Sequence, residues 1–205
     1  MSIRIETLPV GMLAVNCYLV WDDNARETLI VDAGDEADRI IEAIRKLSIK
    51  PVGILQTHGH VDHILALRSL VDEFAIPVYV HPDEHALYYS PANSLLPWVP
   101  AARNLPKPAD TPPQAAGLPY AVIHTPGHTP GGVCYHFADA AVLFSGDTLF
   151  HGSIGRTDLT GGDMNALLTS IRTKLLPLPA NTTVYPGHGP TTTIGEEKEI
   201  NPFVN

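Results

Sequence analysis

The sequence predicts an α+β protein with four layers, an αββα sandwich in which two β-sheets lie face to face and helices cover their outer sides. Two observations support this prediction. Segments typical of strands are followed by strand–helix alternation, and the same order occurs again in the second half of the chain. The chain has 205 residues, of which 44% are hydrophobic, enough for one domain with a sizeable core. We therefore expect residues 1–205 to form a single domain.

The first half of the chain is expected to form one sheet and its helices. Runs rich in Ile, Val, Leu and Tyr, separated by turn residues, predict strands. The apolar residues Ile40, Ile41 and Ile44 recur at helical spacing, which predicts an amphipathic helix around them. The predicted elements are strands at 3–8, 15–21 and 28–32, a helix at 35–47, a strand at 52–55, a helix at 62–74, a strand at 77–80 and a short helix at 83–89.

A proline-rich loop is predicted over residues 90–113. Its prolines exclude a regular helix or sheet, because each lacks a backbone N–H and fixes φ. The loop also carries the large apolar residues Leu95, Leu96 and Trp98. Such a loop is more often a lid or a packed surface loop than a flexible linker, so we do not place a domain boundary here.

The second half repeats the order of the first. Asp163 is a plausible N-cap for the helix that it precedes, and Pro177 ends that helix. The predicted elements are strands at 120–124, 132–137 and 141–146, a glycine-rich loop at 152–162, a helix at 163–176, a strand at 182–185 and a short C-terminal helix.

The segment Thr57–His63 carries three histidines and one aspartate directly after an apolar run. Side-chain packing alone hardly explains histidines separated by single residues. Zinc, iron and manganese bind imidazole and carboxylate ligands. In an extended chain, residues two apart point the same way, so His58 and His60 can converge on one ion. Asp62 and His63 then point elsewhere, as a second ion beside the first would require. The segment therefore predicts a metal site.

Three further polar residues follow predicted strands. His128, Asp147 and His188 each come just after a strand and beside glycine, which lets the backbone approach a ligand closely. Each could singly be a turn or cap residue. Functional groups are commonly placed on loops that a rigid sheet holds. Together with the segment Thr57–His63 they give seven candidate ligands, all at the ends of strands.

Charge and composition exclude some functions. The formal net charge of −9 argues against sequence-independent nucleic-acid binding, which needs a basic face. The chain has no apolar run of the ~20 residues that span a bilayer, and its N-terminus lacks the pattern of a secretory signal. We therefore expect a cytoplasmic protein without a membrane or nucleic-acid partner. Cys17 and Cys134 lie in strand-like runs and are expected to be buried thiols rather than a disulfide or a nucleophile.

The candidate ligands, in their order along the chain, closely resemble the metal signature of the metallo-β-lactamase-fold hydrolases, and the resemblance covers nearly the whole chain. Shorter segments are similar to one branch of that family, glyoxalase II (the hydroxyacylglutathione hydrolases), in its short bacterial form without the C-terminal helical domain. These segments are Asn16–Val20, Val31–Gly34, Gly155–Leu159 and Asn201–Phe203.

The resemblance implies the metallo-β-lactamase fold and two divalent metal ions per chain, zinc first, with iron or manganese as alternatives. A shared anionic ligand offsets the repulsion between two cations ~3.5–4 Å apart. The implied ligands are His58, His60 and His128 for the first ion, Asp62, His63 and His188 for the second, and Asp147 as the bridge between them.

The activity that the resemblance implies is hydrolysis of a small thioester, S-lactoylglutathione first. A metal-bridging hydroxide would attack the thioester carbonyl, with Asp62 and Asp147 as the catalytic carboxylates. Asp32 would orient a metal-bound histidine from outside the ligand set.

The substrate loop departs from the family pattern. Glyoxalase II places a lysine and a tyrosine after a Gly-Cys-Gly turn to bind glutathione, whereas this chain reads Ser153–Asp158 there and has no tyrosine. Arg156 could replace the lysine as a carboxylate clamp, or it could brace the loop through Asp158. Lys198 is a second candidate contact to the substrate.

Three alternatives remain open at this point. One is a persulfide dioxygenase of the same fold, with one iron and a similar Gly-Arg-Thr-Asp loop. Another is a metallo-hydrolase of a different ester or a lactone. The third is a binding module that a metal only stabilises, although structural zinc sites are closed, four-coordinate and commonly contain cysteine.

Overall fold

The computed structural model describes residues 3–205 and confirms the predicted α+β class, with two five-stranded sheets. The first sheet has the strand order β1-β2-β3-β4-β5. Its first three strands are antiparallel and the last two join them in parallel. The strands are β1 (Ile3–Val10), β2 (Val15–Asp22), β3 (Glu27–Val31), β4 (Lys50–Leu55) and β5 (Val78–Tyr79).

The second sheet has the order β12-β11-β8-β7-β6, with β11 and β8 parallel and the other pairs antiparallel. Strands β9 and β10 form a separate two-stranded hairpin that belongs to neither of the two sheets. The strands are β6 (Ala121–His124), β7 (Val133–Phe137), β8 (Val142–Gly146), β9 (Leu149–Phe150), β10 (Ser153–Ile154), β11 (Thr183–Pro186) and β12 (Thr192–Thr193).

Six α-helices occur in residues 3–205, and none of them is long and apolar enough to cross a membrane. The predicted N-cap is confirmed, since Asp163 accepts a hydrogen bond from the backbone nitrogen of Ala166. The helix that it caps continues as a π-helical turn to Leu175. The helices are α1 (Ala37–Leu47), α2 (Val61–Ile64), α3 (Leu67–Phe74), α4 (His85–Tyr88), α5 (Met164–Ser170) and α6 (Ile194–Ile200).

Strand β2 explains how the layers are joined, because every one of its residues is buried. Side chains alternate between the two faces of a strand. Cys17 and Leu19 therefore pack into the apolar cluster beneath α1 and α3, whereas Tyr18 and Val20 pack into the cluster between the sheets. Tyr135 of the second sheet belongs to that same inner cluster. A third cluster lies between the second sheet and α5, as an αββα sandwich requires.

The predicted helix over 62–74 is wrong as one element, since it is divided into α2 and α3. The backbone nitrogen of Ala66 donates to the carbonyl oxygens of Ala33 and Gly34. Leu65, at the junction of the two helices, has 38% of its surface exposed. The break follows from tertiary contacts that override the helical pattern.

The loop at 90–113 is anchored at several points. Buried Asn93 donates to the carbonyl oxygen of Tyr88 and accepts from the backbone nitrogen of Ala102. The hydroxyl of Tyr88 donates to the carbonyl oxygen of Pro106. Between these anchors, Leu95 and Val99 close a small turn with Trp98 near its tip, 63% exposed. The inner part of the loop is thus packed, and the tip projects outward.

Candidate metal centre

The seven candidate ligands lie at one rim of the sandwich, because the strands that carry them end there. Thr57–His63 follows β4, whose parallel partner β3 ends at Val31. His128 follows β6, Asp147 follows β8 and His188 follows β11. The rim therefore gathers residues that are far apart in sequence.

The nitrogen and oxygen atoms that could bind metal ions fall into two groups of three residues, and Asp147 lies between the two groups. In each group these atoms lie within 4.8 Å of one another. Asp147 joins a third such group, which takes one histidine from each of the other two. The groups are His58, His60 and His128; Asp62, His63 and His188; and His58, His63 and Asp147.

The carboxylate of Asp147 spans the two sets of imidazoles. Its Oδ1 lies 3.5 Å from Nε2 of His63, and its Oδ2 lies 3.6 Å from Nε2 of His128 and 3.8 Å from Nε2 of His188. Gly187 permits this approach, since a Cβ there would come within 2.2 Å of Asp147 Oδ1. Asp147 is thus placed to share its two oxygens between two cations.

Polar atoms without partners indicate that the residues fit metal ions. In residues 3–205, eight buried side-chain nitrogen or oxygen atoms lack a hydrogen bond. Buried polar groups are normally hydrogen-bonded, so each exception needs an explanation. Five of the eight belong to this cluster: His58 Nε2, His60 Nε2, Asp62 Oδ1, His63 Nε2 and Asp147 Oδ1. Divalent cations held by the cluster would satisfy those of His58, His63 and Asp147.

The protonation states of His58, His60 and Asp147 suit metal binding, whereas His63 would give up its proton to a bound cation. Burial lowers the pKa of His58 and lowers that of His60 to about 3, so both imidazoles are neutral and can ligate. Burial alone would raise the pKa of Asp147, but neighbouring imidazoles, His63 foremost, hold it well below its usual range. Burial alone would lower the pKa of His63, but nearby carboxylates, Asp62 foremost, hold it above its usual range. The cluster therefore keeps charged carboxylates that favour cations.

Outer hydrogen bonds orient the imidazoles. Asp32 Oδ2 lies 3.0 Å from Nδ1 of His63, and the same carboxylate accepts from the backbone nitrogen and the hydroxyl of Thr57. Nδ1 of His128 lies 2.7 Å from the carbonyl oxygen of Arg156. Partners of this kind fix the ring orientation of a ligating histidine and leave the other nitrogen free for the metal.

Glu84 is a site residue that the sequence analysis missed. It is fully buried, and its two oxygens accept hydrogen bonds from the backbone nitrogens of Gly59 and Gly131, at 2.8 and 2.7 Å. Gly59 lies between His58 and His60, and Gly131 lies in the loop that carries His128. Its neighbours Pro82 and Asp83 are exposed, so no local motif distinguishes Glu84 from a surface glutamate.

A cavity of about 370 Å³ opens onto the metal cluster. Arg156 lines it and forms a bidentate pair with Asp158, with both N–O distances at 2.7 Å. The guanidinium therefore braces its own loop in this conformation. Lys198, the other predicted substrate contact, is in α6 and is not among the residues that line the cavity. Much of the remaining lining is apolar, from Leu13, Leu95, Phe150, Ile154 and Leu159.

Comparison with known proteins identifies the family of the chain. Residues 10–188 match the family model of the metallo-beta-lactamase superfamily. The "Probable metallo-hydrolase YqgX" of Bacillus subtilis (strain 168) is 40% identical over 97% of this chain and 96% of its own. The "Hydroxyacylglutathione hydrolase GloC" of Haemophilus influenzae is 37% identical over 98% of both chains.

Three solved structures are similar to this chain over most of its length. The crystal structure of BLEG-1 B3 metallo-beta-lactamase superposes with a TM-score of 0.90 at 43% identity and covers 98% of this chain and 99% of its own. TTHA1623 in a di-iron-bound form has a TM-score of 0.84 at 38% identity, covering 97% and 99%. ETHE1 from Myxococcus xanthus has a TM-score of 0.79 at 26% identity, covering 97% and 83%.

Proposed function

The chain belongs to the metallo-β-lactamase superfamily, and we propose that it is a dinuclear metallohydrolase of small thioesters, S-lactoylglutathione first. The observation that carries this proposal is the pair of three-donor groups joined through Asp147, in which buried polar atoms of His58, His63 and Asp147 have no partner in the protein. A single ion would leave part of this donor set buried and unsatisfied, which is costly. The 37% identity to a hydroxyacylglutathione hydrolase favours a glutathione thioester as substrate.

In this proposal, each of the two three-donor groups would hold one ion, and Asp147 would contribute to both ions. Divalent cations bound there would supply Lewis acidity and lower the pKa of water to about 7. Asp62 Oδ1 has no partner within the protein and can accept a proton from, or orient, the attacking water. Asp32 fixes the orientation of the His63 ring through its contact with Nδ1. Cys17 and Cys134 are both buried and therefore not available as nucleophiles, and the proposed reaction does not require one.

The proposal is tested by metal content and thioester hydrolysis. We expect two metal ions per chain and hydrolysis of S-lactoylglutathione, followed as loss of the thioester absorbance. Asp147→Asn and His128→Ala should each lower kcat/KM by at least ~10²-fold, since each removes a group from the ligand set. Circular dichroism must confirm that both variants fold. Wild-type activity no higher than that of the variants would contradict the proposal.

The main alternative is a mononuclear iron persulfide dioxygenase, because the chain is also similar to ETHE1. The second three-donor group, Asp62, His63 and His188, favours the dinuclear hydrolase. One iron per chain, together with oxygen consumption that depends on glutathione persulfide, would establish this alternative. The likeness to BLEG-1 makes β-lactam hydrolysis a second candidate, tested in the same preparation with a chromogenic cephalosporin.

A further inference from the structure

Exposed apolar side chains are concentrated beside the metal centre. Nine large hydrophobic residues are exposed in the part of the chain that the structure describes. Four of them line one small groove of about 110 Å³, and a fifth, Leu96, lies two residues from one of the four. An apolar patch of this kind on a soluble protein commonly marks a binding site. The four are Met12, Leu13, Leu65 and Trp98, and we call this feature the apolar groove.

The apolar groove borders the metal-centre cavity. Leu13 and Asp62 line both spaces. Asp62 belongs to the second three-donor group, so the groove lies directly beside the donor cluster. A substrate whose reactive carbonyl lies at the centre can therefore extend one of its substituents into the groove.

Charge decides which substituent enters the groove. Asp35 lines the groove and not the metal-centre cavity, whereas Arg156 lines the cavity and not the groove. A carboxylate would be repelled by Asp35 and attracted toward Arg156. The carboxylates of a thiol carrier such as glutathione therefore belong on the Arg156 side, and the uncharged acyl chain belongs on the side of Met12 and Trp98.

The groove is already formed by two tight turns. On one side, the backbone nitrogen of Ala14 donates to the carbonyl oxygen of Gly11 and closes the β1–β2 hairpin under Met12. On the other side, Leu95 and Val99 exchange two backbone hydrogen bonds of 2.9 Å and hold Trp98 outward. A preformed site loses little conformational freedom on binding.

We propose that the apolar groove binds the acyl chain of the substrate, so that the enzyme favours thioesters with medium-length aliphatic acyl groups over the lactoyl group. This inference rests on the proposed thioester hydrolase function, but it changes the preferred acyl group from the lactoyl group of S-lactoylglutathione to a longer aliphatic chain. Burying one methylene group is worth about fourfold in kcat/KM. Selectivity should rise with chain length until the groove is filled.

Hydrolysis of a series of glutathione thioesters tests the proposal. With lactoyl, butyryl, hexanoyl and octanoyl thioesters, we expect kcat/KM to rise about fourfold per buried methylene. Trp98→Ala and Met12→Ser should lower the octanoyl-to-lactoyl ratio at least ~10-fold. Phe203→Ala, which removes an exposed apolar side chain elsewhere, should leave the ratio unchanged. Equal kcat/KM for all chain lengths would overturn the groove and leave the thioester hydrolase standing.

Tryptophan fluorescence provides a measurement that does not depend on catalysis. Of the two tryptophans, Trp21 is buried and Trp98 is exposed, so a blue shift on ligand binding reports on the groove. The non-hydrolysable thioether S-octylglutathione should shift the emission, and S-methylglutathione should not. Loss of the shift in Trp98→Phe would support the assignment. No shift in the wild-type protein, or a dimer in light scattering that Trp98→Ala dissociates, would overturn it.

Discussion

The carboxylate of Glu84 accepts a 2.8 Å hydrogen bond from the backbone nitrogen of Gly59, although 25 residues separate them. Its other oxygen accepts from Gly131, 47 residues away. One buried side chain therefore ties together the two loops that carry the group His58, His60 and His128. Without this tie, the mutual distances of these three ligands would depend on the loops alone.

Glu84→Gln is expected to weaken metal binding. The carboxamide keeps the shape of the side chain but presents a donor to one of the two backbone N–H groups, which have no other acceptor there. The affinity for the ion held by His58, His60 and His128 should fall roughly 10–100-fold, as when other supports of metal ligands are removed. Competition with a chromophoric chelator measures this affinity directly.

Glu197→Gln is the matched control. Glu197 is equally buried and also accepts several hydrogen bonds, from Gly152, Thr192 and Asn201, but none of these carries a metal ligand. This variant should lose thermal stability and keep the metal affinity of the wild type. If Glu84→Gln behaved in the same way, Glu84 would support the fold and not the metal centre.

Much of the fold and of the donor set could be predicted from the sequence because the signals are local. The apolar run of β2 and the spacing of Thr57–His63 depend only on neighbouring residues. Long-range bonds left no such signal. The partners of Glu84 are distant in sequence, and the helix break at Ala66 depends on hydrogen bonds to Ala33 and Gly34. The apolar groove likewise joins loops that the sequence shows separately.

Arg156→Ala is expected to raise KM for glutathione thioesters about 10-fold with little change in the melting temperature. The arginine lines the cavity and can contact a carboxylate, and a charge-assisted hydrogen bond is worth roughly 1.5–3 kcal/mol. Its pair with Asp158 is exposed, and exposed ion pairs contribute little to stability. Steady-state kinetics and thermal denaturation measure the two effects.

Lys198→Ala serves as the comparison for Arg156→Ala, because Lys198 does not line the cavity. Its KM should equal that of the wild type. A raised KM for Lys198→Ala with an unchanged KM for Arg156→Ala would reverse the assignment of the carrier contact.

Thiol reagents should not react with the native protein. Burial raises the pKa of Cys134 to about 11 and raises that of Cys17 further, so both remain protonated near neutral pH. The thiolate is the reactive form. We expect no labelling by a disulfide reagent at pH 8 until denaturant is added, after which two thiols react. Rapid labelling with loss of activity would instead implicate a cysteine in the reaction.

Chelation should destabilise the fold as well as abolish activity. Without cations, the carboxylates of Asp62 and Asp147 repel each other, and their orphaned oxygens stay buried. A ligand present at 100 times its Kd stabilises the native state by about 2.7 kcal/mol per site. For a chain of this size, removing that contribution lowers Tm by roughly 5–10 °C per ion. Calorimetry with and without chelator measures the shift, and Asp147→Asn, which binds metal less tightly, should show a smaller one. An unchanged Tm on chelation would mean that the donor cluster holds no ion in the native protein.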